Sequence, residues 1–145
     1  MSDPDGAVLL DTCAVIWLAN GDQLASGAVT RIVRAGLRGG IFVSPISAWE
    51  IGMLSKPRQG RAGVVRFMPD AKTWFARFMA GPGIREAPFQ PDIAIDSSWL
   101  PGEMHGDPAD RLIIATARHL GVPVVTRDGK IIAYAGTGEV SVVPC

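Results

Sequence analysis

Short, almost entirely apolar segments that stop abruptly at polar residues constrain the fold more than any other feature of the sequence. Residues 7–10 stop at Asp11, and residues 41–43 stop at Ser44. Nearly continuous apolar runs are typical of strands that are buried on both faces, as in a parallel sheet. The sequence therefore predicts a mainly parallel sheet. Its predicted strands are residues 7–10, 41–43, 122–126 and 140–143, with a weaker candidate at residues 85–89.

Stretches with helical periodicity lie between these strands. Residues 24–37, 71–79 and 108–120 each carry apolar side chains three or four positions apart. Strands and helices that alternate in this way are typical of a three-layer α/β fold with right-handed crossovers. Because 145 residues suit one hydrophobic core, we expect a single domain over residues 1–145.

The composition excludes several functional classes. Fourteen basic and fourteen acidic side chains give a formal net charge of zero, which excludes a broadly cationic nucleic-acid-binding surface but not a local patch. The two cysteines are too few for a disulfide framework. The longest apolar run, residues 13–19, is too short to cross a bilayer, and the acidic first residues lack the cationic start of a signal peptide. We therefore expect a cytoplasmic protein without a membrane segment.

Two aspartates directly follow predicted strands. Asp11 comes after residues 7–10, and Asp128 comes after residues 122–126. In open parallel sheets, ligands bind outside the carboxyl ends of the strands. Both aspartates also have a purely structural interpretation. Asp11, like Thr12, is a suitable helix N-cap, and Asp128 precedes Gly129 in a predicted turn.

A third acid lies within an apolar helical stripe. A helix is predicted to begin at Pro45, and Ile46, Glu50 and Leu54 follow at intervals of four residues on one of its faces. Burying an unpaired carboxylate at such a position costs several kcal/mol or forces it to take up a proton. The alternative is an ion pair between Glu50 and a nearby arginine.

A fourth acid lies at the start of another helix. Asp107 is the predicted N-cap and Pro108 the first helical residue. Asp110 is then the third helical residue, on the same face as Ile113. A capping box would also explain Asp107 and Asp110 together, although Glu or Gln is usual at the second position.

Together these four acids predict a metal site. They follow strands one and four or begin the helices after strands two and three, so we expect them to converge on one edge of the sheet. Carboxylates held so closely repel each other, and a hard cation relieves that repulsion. Oxygen ligands in a chain with only two histidines favour Mg²⁺ or Mn²⁺ over zinc. Such an ion activates water for attack on phosphate, while a spare carboxylate accepts the proton.

The basic residues are concentrated in one part of the chain. Residues 31–77 contain nine basic side chains and two acidic ones. A phosphate-bearing substrate needs cations near the site. Within this stretch, Arg58 and Arg61 lie in a segment rich in glycine and proline and are the best candidates for contact with a nucleic-acid backbone.

Four motifs resemble those of a known family. They are LLDT at residues 9–12, SAWEI at 47–51, DPADRLIIA at 107–115 and VTRD at 125–128. Together they resemble the PIN domain, and more narrowly the VapC-type toxins of bacterial toxin–antitoxin pairs, from residue 8 to residue 143. The resemblance implies an Mg²⁺- or Mn²⁺-dependent endoribonuclease on a sheet ordered 3-2-1-4-5. It also implies a homodimer and an antitoxin partner that blocks the site.

The resemblance assigns roles to the matching residues of this chain. The expected catalytic acids are Asp11, Glu50, Asp110 and Asp128, of which the three aspartates are the expected metal ligands. The expected supporting residues are Thr12, Asp107 and Thr126. The chain departs from the family at Cys13, where relatives often have a histidine, and at Pro57, where relatives often continue a lysine-containing helix. The first departure leaves metal binding intact, and the second concerns substrate contact rather than the chemistry.

Two other functional interpretations stay open at this point. A phosphatase of the haloacid-dehalogenase type would carry a second aspartate two residues after Asp11, where this chain has Cys13. A non-catalytic PIN-like or receiver-like binding module could lose any of the four acids, whereas all four are present here. Both observations favour the nuclease.

Overall fold

The computed structural model describes residues 6–57, 65–104 and 106–145. Strands and helices alternate through most of these described residues. In chain order the elements are β1 (Val8–Leu10), α1 (Thr12–Asn20), α2 (Ser26–Leu37), β2 (Ile41–Val43), α3 (Pro45–Leu54), α4 (Ala71–Met79), β3 (Ile84–Glu86), α5 (Pro91–Ser98), α6 (Pro108–Leu120), β4 (Val124–Thr126), α7 (Gly129–Ala135) and β5 (Val142–Pro144).

The five strands form one parallel sheet in the order β3-β2-β1-β4-β5. The central strand β1 pairs with β2 and β4, so that Leu9 is opposite both Phe42 and Val124. The predicted fold class and strand order are therefore confirmed. Because all strands run in the same direction, their carboxyl ends lie along one edge of the sheet.

The sheet separates two hydrophobic clusters. Leu9 points into the first cluster, where it joins Ile113 of α6 and Ile131 of α7. Its neighbours Val8 and Leu10 point into the second cluster, which includes residues of α1 and α2. Successive side chains of a strand face opposite sides, so a fully apolar β1 requires helices on both faces. This is the three-layer arrangement that the apolar runs predict.

Helix α6 has the limits that its sequence predicts. Asp107 Oδ1 accepts a hydrogen bond from the Asp110 backbone N–H (3.1 Å) at the N-terminus, and Pro108 is the first helical residue. At the C-terminus, Gly121 adopts a left-handed conformation with φ 68°, which glycine tolerates without steric cost. Within the described residues, no helix is long and apolar enough to cross a lipid bilayer.

The structure differs from the predicted elements at several boundaries. Four of the strands are shorter or shifted, and β5 extends to Pro144 because an edge strand tolerates a residue without an N–H. Helix α2 begins at Ser26 rather than at residue 24. Helices α5 and α7 were not predicted. Consequently Asp110 lies on the second helix after β3, not on the first.

Candidate active site at the carboxyl edge of the sheet

Asp11 leaves the carboxyl end of β1 and caps α1. Its Oδ1 accepts a hydrogen bond from the Ala14 backbone N–H (2.8 Å), and its Oδ2 accepts one from Thr126 Oγ1 (2.5 Å). The residue is only 8% exposed. Burial raises the pKa of Asp11, and the nearby Asp128 raises it further, while these two hydrogen bonds and the Arg127 guanidinium oppose the rise. Asp11 is therefore both a helix cap and a desolvated carboxyl group.

Glu50 lies in the second turn of α3, and its Oε1 accepts a hydrogen bond from Thr12 Oγ1 (2.5 Å). The Thr12 hydroxyl also lies 2.9 Å from Ser47 Oγ. Because a hydroxyl has one proton, Ser47 donates to Thr12 when Thr12 donates to Glu50. Burial raises the pKa of Glu50, as do Asp107 and Asp11, against the effect of the Thr12 hydrogen bond. No arginine pairs with Glu50 among the described residues.

Asp110 is half-buried in the first turn of α6. Burial is the main cause that raises its pKa to about 7, and the charges of Asp107, Asp128, Glu50 and Asp11 raise it further, in that order. The capping interpretation is thus correct for Asp107, whose side chain bonds the α6 N-terminus. It does not explain Asp110, whose carboxyl group is held near other carboxyl groups at an energetic cost.

Asp128 is the N-cap of α7 rather than a simple turn residue. Its Oδ1 accepts hydrogen bonds from the backbone N–H groups of Lys130 (2.8 Å) and Ile131 (3.2 Å). Its own N–H donates to Thr126 Oγ1 (3.0 Å), the same fully buried hydroxyl that donates to Asp11. Thr126 therefore fixes Asp11 and Asp128 relative to each other.

The four acids line one cavity of about 290 Å³ at the carboxyl edge of the sheet. This volume is at the lower end for small-molecule sites. The four acids also act on the Cys13 thiol: burial raises its pKa to about 11, and the charges of Asp11, Glu50, Asp128 and Asp110 raise it further. The other residues that line the cavity are Thr12, Cys13, Trp17, Ile113 and Arg127.

The sequence comparison decides the family to which this fold and site belong. The family model for the PIN domain matches residues 8–136, which includes all five positions of Asp11, Glu50, Asp107, Asp110 and Asp128. The chain belongs to the PIN domain family. The family resemblance predicted from the four motifs is thereby confirmed.

Individual relatives extend this result. The PIN domain is 27% identical to Ribonuclease VapC22 of Mycobacterium tuberculosis over 135 residues, which cover 93% of this chain and 97% of that protein. The structure of VapBC2 from Rickettsia felis bound to a promoter DNA fragment has a TM-score of 0.65 at 15% identity and covers 95% of this chain and 98% of that chain. FitAcB from Neisseria gonorrhoeae has a TM-score of 0.52 at 19% identity, with 93% and 95% covered. At these identities the two solved structures show a shared fold.

The chemistry of the site fits a hard divalent cation. The donors of this PIN domain are carboxylate oxygens, which Mg²⁺ and Mn²⁺ prefer, and the like charges that raise the pKa of Asp110 are those that a cation would relieve. Among the described residues, however, no three His, Cys, Asp or Glu side chains lie close enough together to hold one ion. The donor types are therefore suitable, but the described side chains are not arranged as a complete set of metal ligands.

The predicted site residues are brought together to different degrees. Asp107 does not line the cavity, although its charge acts on Glu50 and Asp110. Thr126 does not line the cavity, but its hydroxyl donates a hydrogen bond to Asp11. The predicted RNA contacts Arg58 and Arg61 lie outside the described residues.

Sequence reasoning did not identify three residues that take part in the site. Ser47 contacts Thr12, while Trp17 and Arg127 line the cavity. The spacing of Ser47, three residues before Glu50 on the same helix, was available as a signal. Trp17 and Arg127 are 110 positions apart, and a contact between such distant residues leaves no local pattern.

Proposed function

We propose that this PIN domain, as a single domain over residues 1–145, is a metal-dependent endoribonuclease and the toxin of a type II toxin–antitoxin pair. One observation carries the proposal: four acids from four separate chain segments line the same cavity at the carboxyl edge of a parallel sheet. The similarity to Ribonuclease VapC22 over nearly the whole chain supports RNA as the substrate. The fold shared with VapBC2 and FitAcB supports an antitoxin partner.

Asp11, Asp110 and Asp128 are the residues that would hold an Mg²⁺ or Mn²⁺ ion. When bound, such an ion neutralises charge on the phosphoryl oxygens and lowers the pKa of water. The Thr126 hydroxyl keeps Asp11 and Asp128 in place through its two hydrogen bonds. Supporting residues of this kind fix the orientation of the ligands that they contact.

Glu50 is the proposed general base. Burial raises its pKa, which brings a carboxylate closer to the range where it removes a proton from water efficiently at neutral pH. Thr12 and Ser47 form a chain of hydroxyl groups that orients Glu50 Oε1. In each phosphodiester cleavage the water oxygen forms a new P–O bond while Glu50 accepts its proton. The P–O bond to the leaving ribose oxygen breaks, and that oxygen takes up a proton from solvent.

A cleavage assay tests the activity. Purified protein is incubated with a defined single-stranded RNA in Mg²⁺, in Mn²⁺ or in EDTA, and the new ends are mapped. Cleavage is expected only with a divalent ion, and it should be lost in Asp11→Asn. The matched control is Asp70→Asn, because Asp70 is also a helix N-cap, of α4, but is exposed. Cleavage in EDTA, or at the wild-type rate in Asp11→Asn, would refute the proposal.

The biological role needs a separate test. We expect expression of the protein to stop growth and co-expression of the adjacent antitoxin gene product to restore it. We further expect a homodimer in light scattering and action in the cytoplasm. Growth inhibition that persists in Asp11→Asn would separate toxicity from nuclease activity.

A further inference from the structure

Arg127 is held by three groups at the rim of the candidate active site. Its guanidinium carbon lies 3.9 Å from the centre of the Trp17 ring. Its Nη2 donates to the backbone oxygens of Cys145 (2.9 Å) and Gln23 (3.3 Å). A guanidinium that rests on an indole face and is bonded along one edge loses most of its freedom. These contacts favour the observed position of the exposed Arg127 side chain before any ligand arrives.

Few partners in the described part of the chain use the other donors of this guanidinium. Its hydrogen bonds to backbone oxygens use Nη2 alone, a further side-chain hydrogen bond joins it to Cys145, and no Asp or Glu side chain there forms an ion pair with it. This is unusual, because Arg127 lines the same cavity as four acids. By contrast, Arg118 at the opposite edge of the sheet bonds Glu139 at 3.0 Å.

The acids that line the cavity repel an anionic substrate, and the positive charge of Arg127 offsets part of that repulsion. Carboxylates repel a polyanionic substrate, and an ion between them offsets the repulsion only at the phosphate that it contacts. A planar guanidinium with free donors matches the oxygens of a phosphate. Arg127 is the only basic side chain that lines the cavity among the residues that the structure describes.

We infer that Arg127 is a substrate-binding residue, whose guanidinium, held against Trp17, contacts a backbone phosphate of the RNA beside the one that is cut. The inference rests on the proposed function, because it names how the same site takes its substrate. A structural role is the competing explanation, since Nη2 joins the C-terminal residue to the segment before α2. The two roles use different atoms and can be separated.

The test measures RNA binding rather than cleavage. Fluorescence anisotropy with a labelled single-stranded RNA is recorded in the Glu50→Gln protein, which should bind without cutting, over a range of salt concentrations. Arg127→Gln is added to this background, because its amide keeps a donor for the Cys145 and Gln23 carbonyls but removes the charge. Arg118→Gln is the matched control, with the same change in net charge at the opposite edge.

Loss of one phosphate contact has a specific signature. We expect Arg127→Gln to weaken RNA binding by about tenfold and to reduce the slope of log K against log salt by about 0.7, the value for one phosphate of a single strand. Arg118→Gln should leave the slope unchanged. In the Glu50-containing protein, the KM for RNA should rise more than kcat falls. Thermal melting of each variant verifies that it is folded.

The outcomes distinguish this inference from the proposed function. If the Glu50→Gln protein binds RNA and Arg127→Gln has the same salt slope as Arg118→Gln, Arg127 is only structural and the inference is wrong. If the Glu50→Gln protein binds no RNA and the wild type cuts none, both the inference and the proposed function fail. If Arg127→Gln does not fold, Arg127→Met replaces it, because methionine also removes the charge and keeps an unbranched side chain beside Trp17. A smaller salt slope than that of Arg118→Gln supports the phosphate contact, and an equal slope contradicts it.

Discussion

The two edges of the sheet differ in how their charged side chains are arranged. The amino edge has the larger cavity, about 440 Å³, between the end of α6 and the segments that lead into β4 and β5. Its charged side chains, Arg118 and Glu139, neutralise each other. The carboxyl edge has the smaller cavity, about 290 Å³, where burial and then the neighbouring carboxylates raise the pKa of Asp110. Chemistry is therefore expected in the smaller of these two cavities, where carboxylates are held close to one another.

Removing one carboxylate from each edge should change RNA cleavage by very different amounts, and this is the largest difference that we expect between the edges. Asp110→Asn is expected to reduce RNA cleavage by about 100-fold or more, because the charge that attracts the metal is lost. Glu139→Gln makes the same chemical change in the other cavity and should keep cleavage within about twofold. Initial rates on one RNA substrate measure both. Equal losses of cleavage rate in the two variants would contradict the placement of the active site at the carboxyl edge.

The buried hydroxyl beneath the acids should contribute more to stability than an equally buried hydroxyl elsewhere. Thr126→Val leaves Asp11 Oδ2 and the Asp128 N–H without their partner, which we expect to lower the free energy of unfolding by about 1–3 kcal/mol. Thr116 is also fully buried, but its hydroxyl bonds only the Leu112 carbonyl within α6. Thr116→Val should therefore change stability by less than about 1 kcal/mol.

Urea unfolding of the two threonine variants gives the comparison directly. The wild type and both variants are measured at one pH in EDTA, so that no bound ion contributes. A larger loss for Thr116→Val than for Thr126→Val would contradict the assignment of Thr126 as the residue that supports the acids.

The repulsion at the carboxyl edge should appear as a pH dependence of stability. The pKa of Asp110 is about 7 in the folded protein and near its ordinary 3.8 when unfolded. Between these values the folded state binds more protons than the unfolded state, so stability should fall as pH rises from about 4 to about 7. After allowance for solvent screening of a half-buried group, we expect a loss of about 1 kcal/mol.

Asp110→Asn should flatten this pH dependence in metal-free buffer. Burial raises the pKa of Asp11 and Glu50 as well, so part of the slope should remain. Asp70→Asn is the control of opposite sign. Hydrogen bonds from Thr73 lower the pKa of Asp70, so the stability that Asp70 contributes to the fold decreases as pH falls. Stability that increases from pH 4 to pH 7 equally in wild type and Asp110→Asn would contradict the account.

The parts of the fold that are set by local sequence could be predicted well. The apolar run before Asp11 gives a buried strand, and the Asp107–Pro108 pair gives the start of α6. Helix α5 was missed because its sequence has no broad apolar face, since Ile93 is buried while Ile95 is 61% exposed. Helix α7 was missed because it has only seven residues and its cap, Asp128, also suits a turn.

In the candidate site, too, features that depend on local sequence could be predicted, and features that depend on tertiary contacts could not. The acids could be chosen from sequence because each lies beside an element end or within an apolar stripe, where a charge is conspicuous. Their hydrogen-bond partners are less predictable, because Thr126 and Asp11 are 115 positions apart and meet only through the β1–β4 pairing. The role of Arg127 depends on its distance from Trp17, which is a property of the tertiary structure alone.

A titration with Mn²⁺ tests most directly whether the acids at the carboxyl edge act as one metal site. The signal is the electron paramagnetic resonance of free Mn²⁺, followed in wild type, Asp11→Asn, Asp110→Asn and the exposed control Asp70→Asn. We expect wild type and Asp70→Asn to bind the ion, and we expect Asp11→Asn and Asp110→Asn each to lose binding by at least about tenfold. Equal binding by all four proteins, or no binding by the wild type, would contradict this expectation.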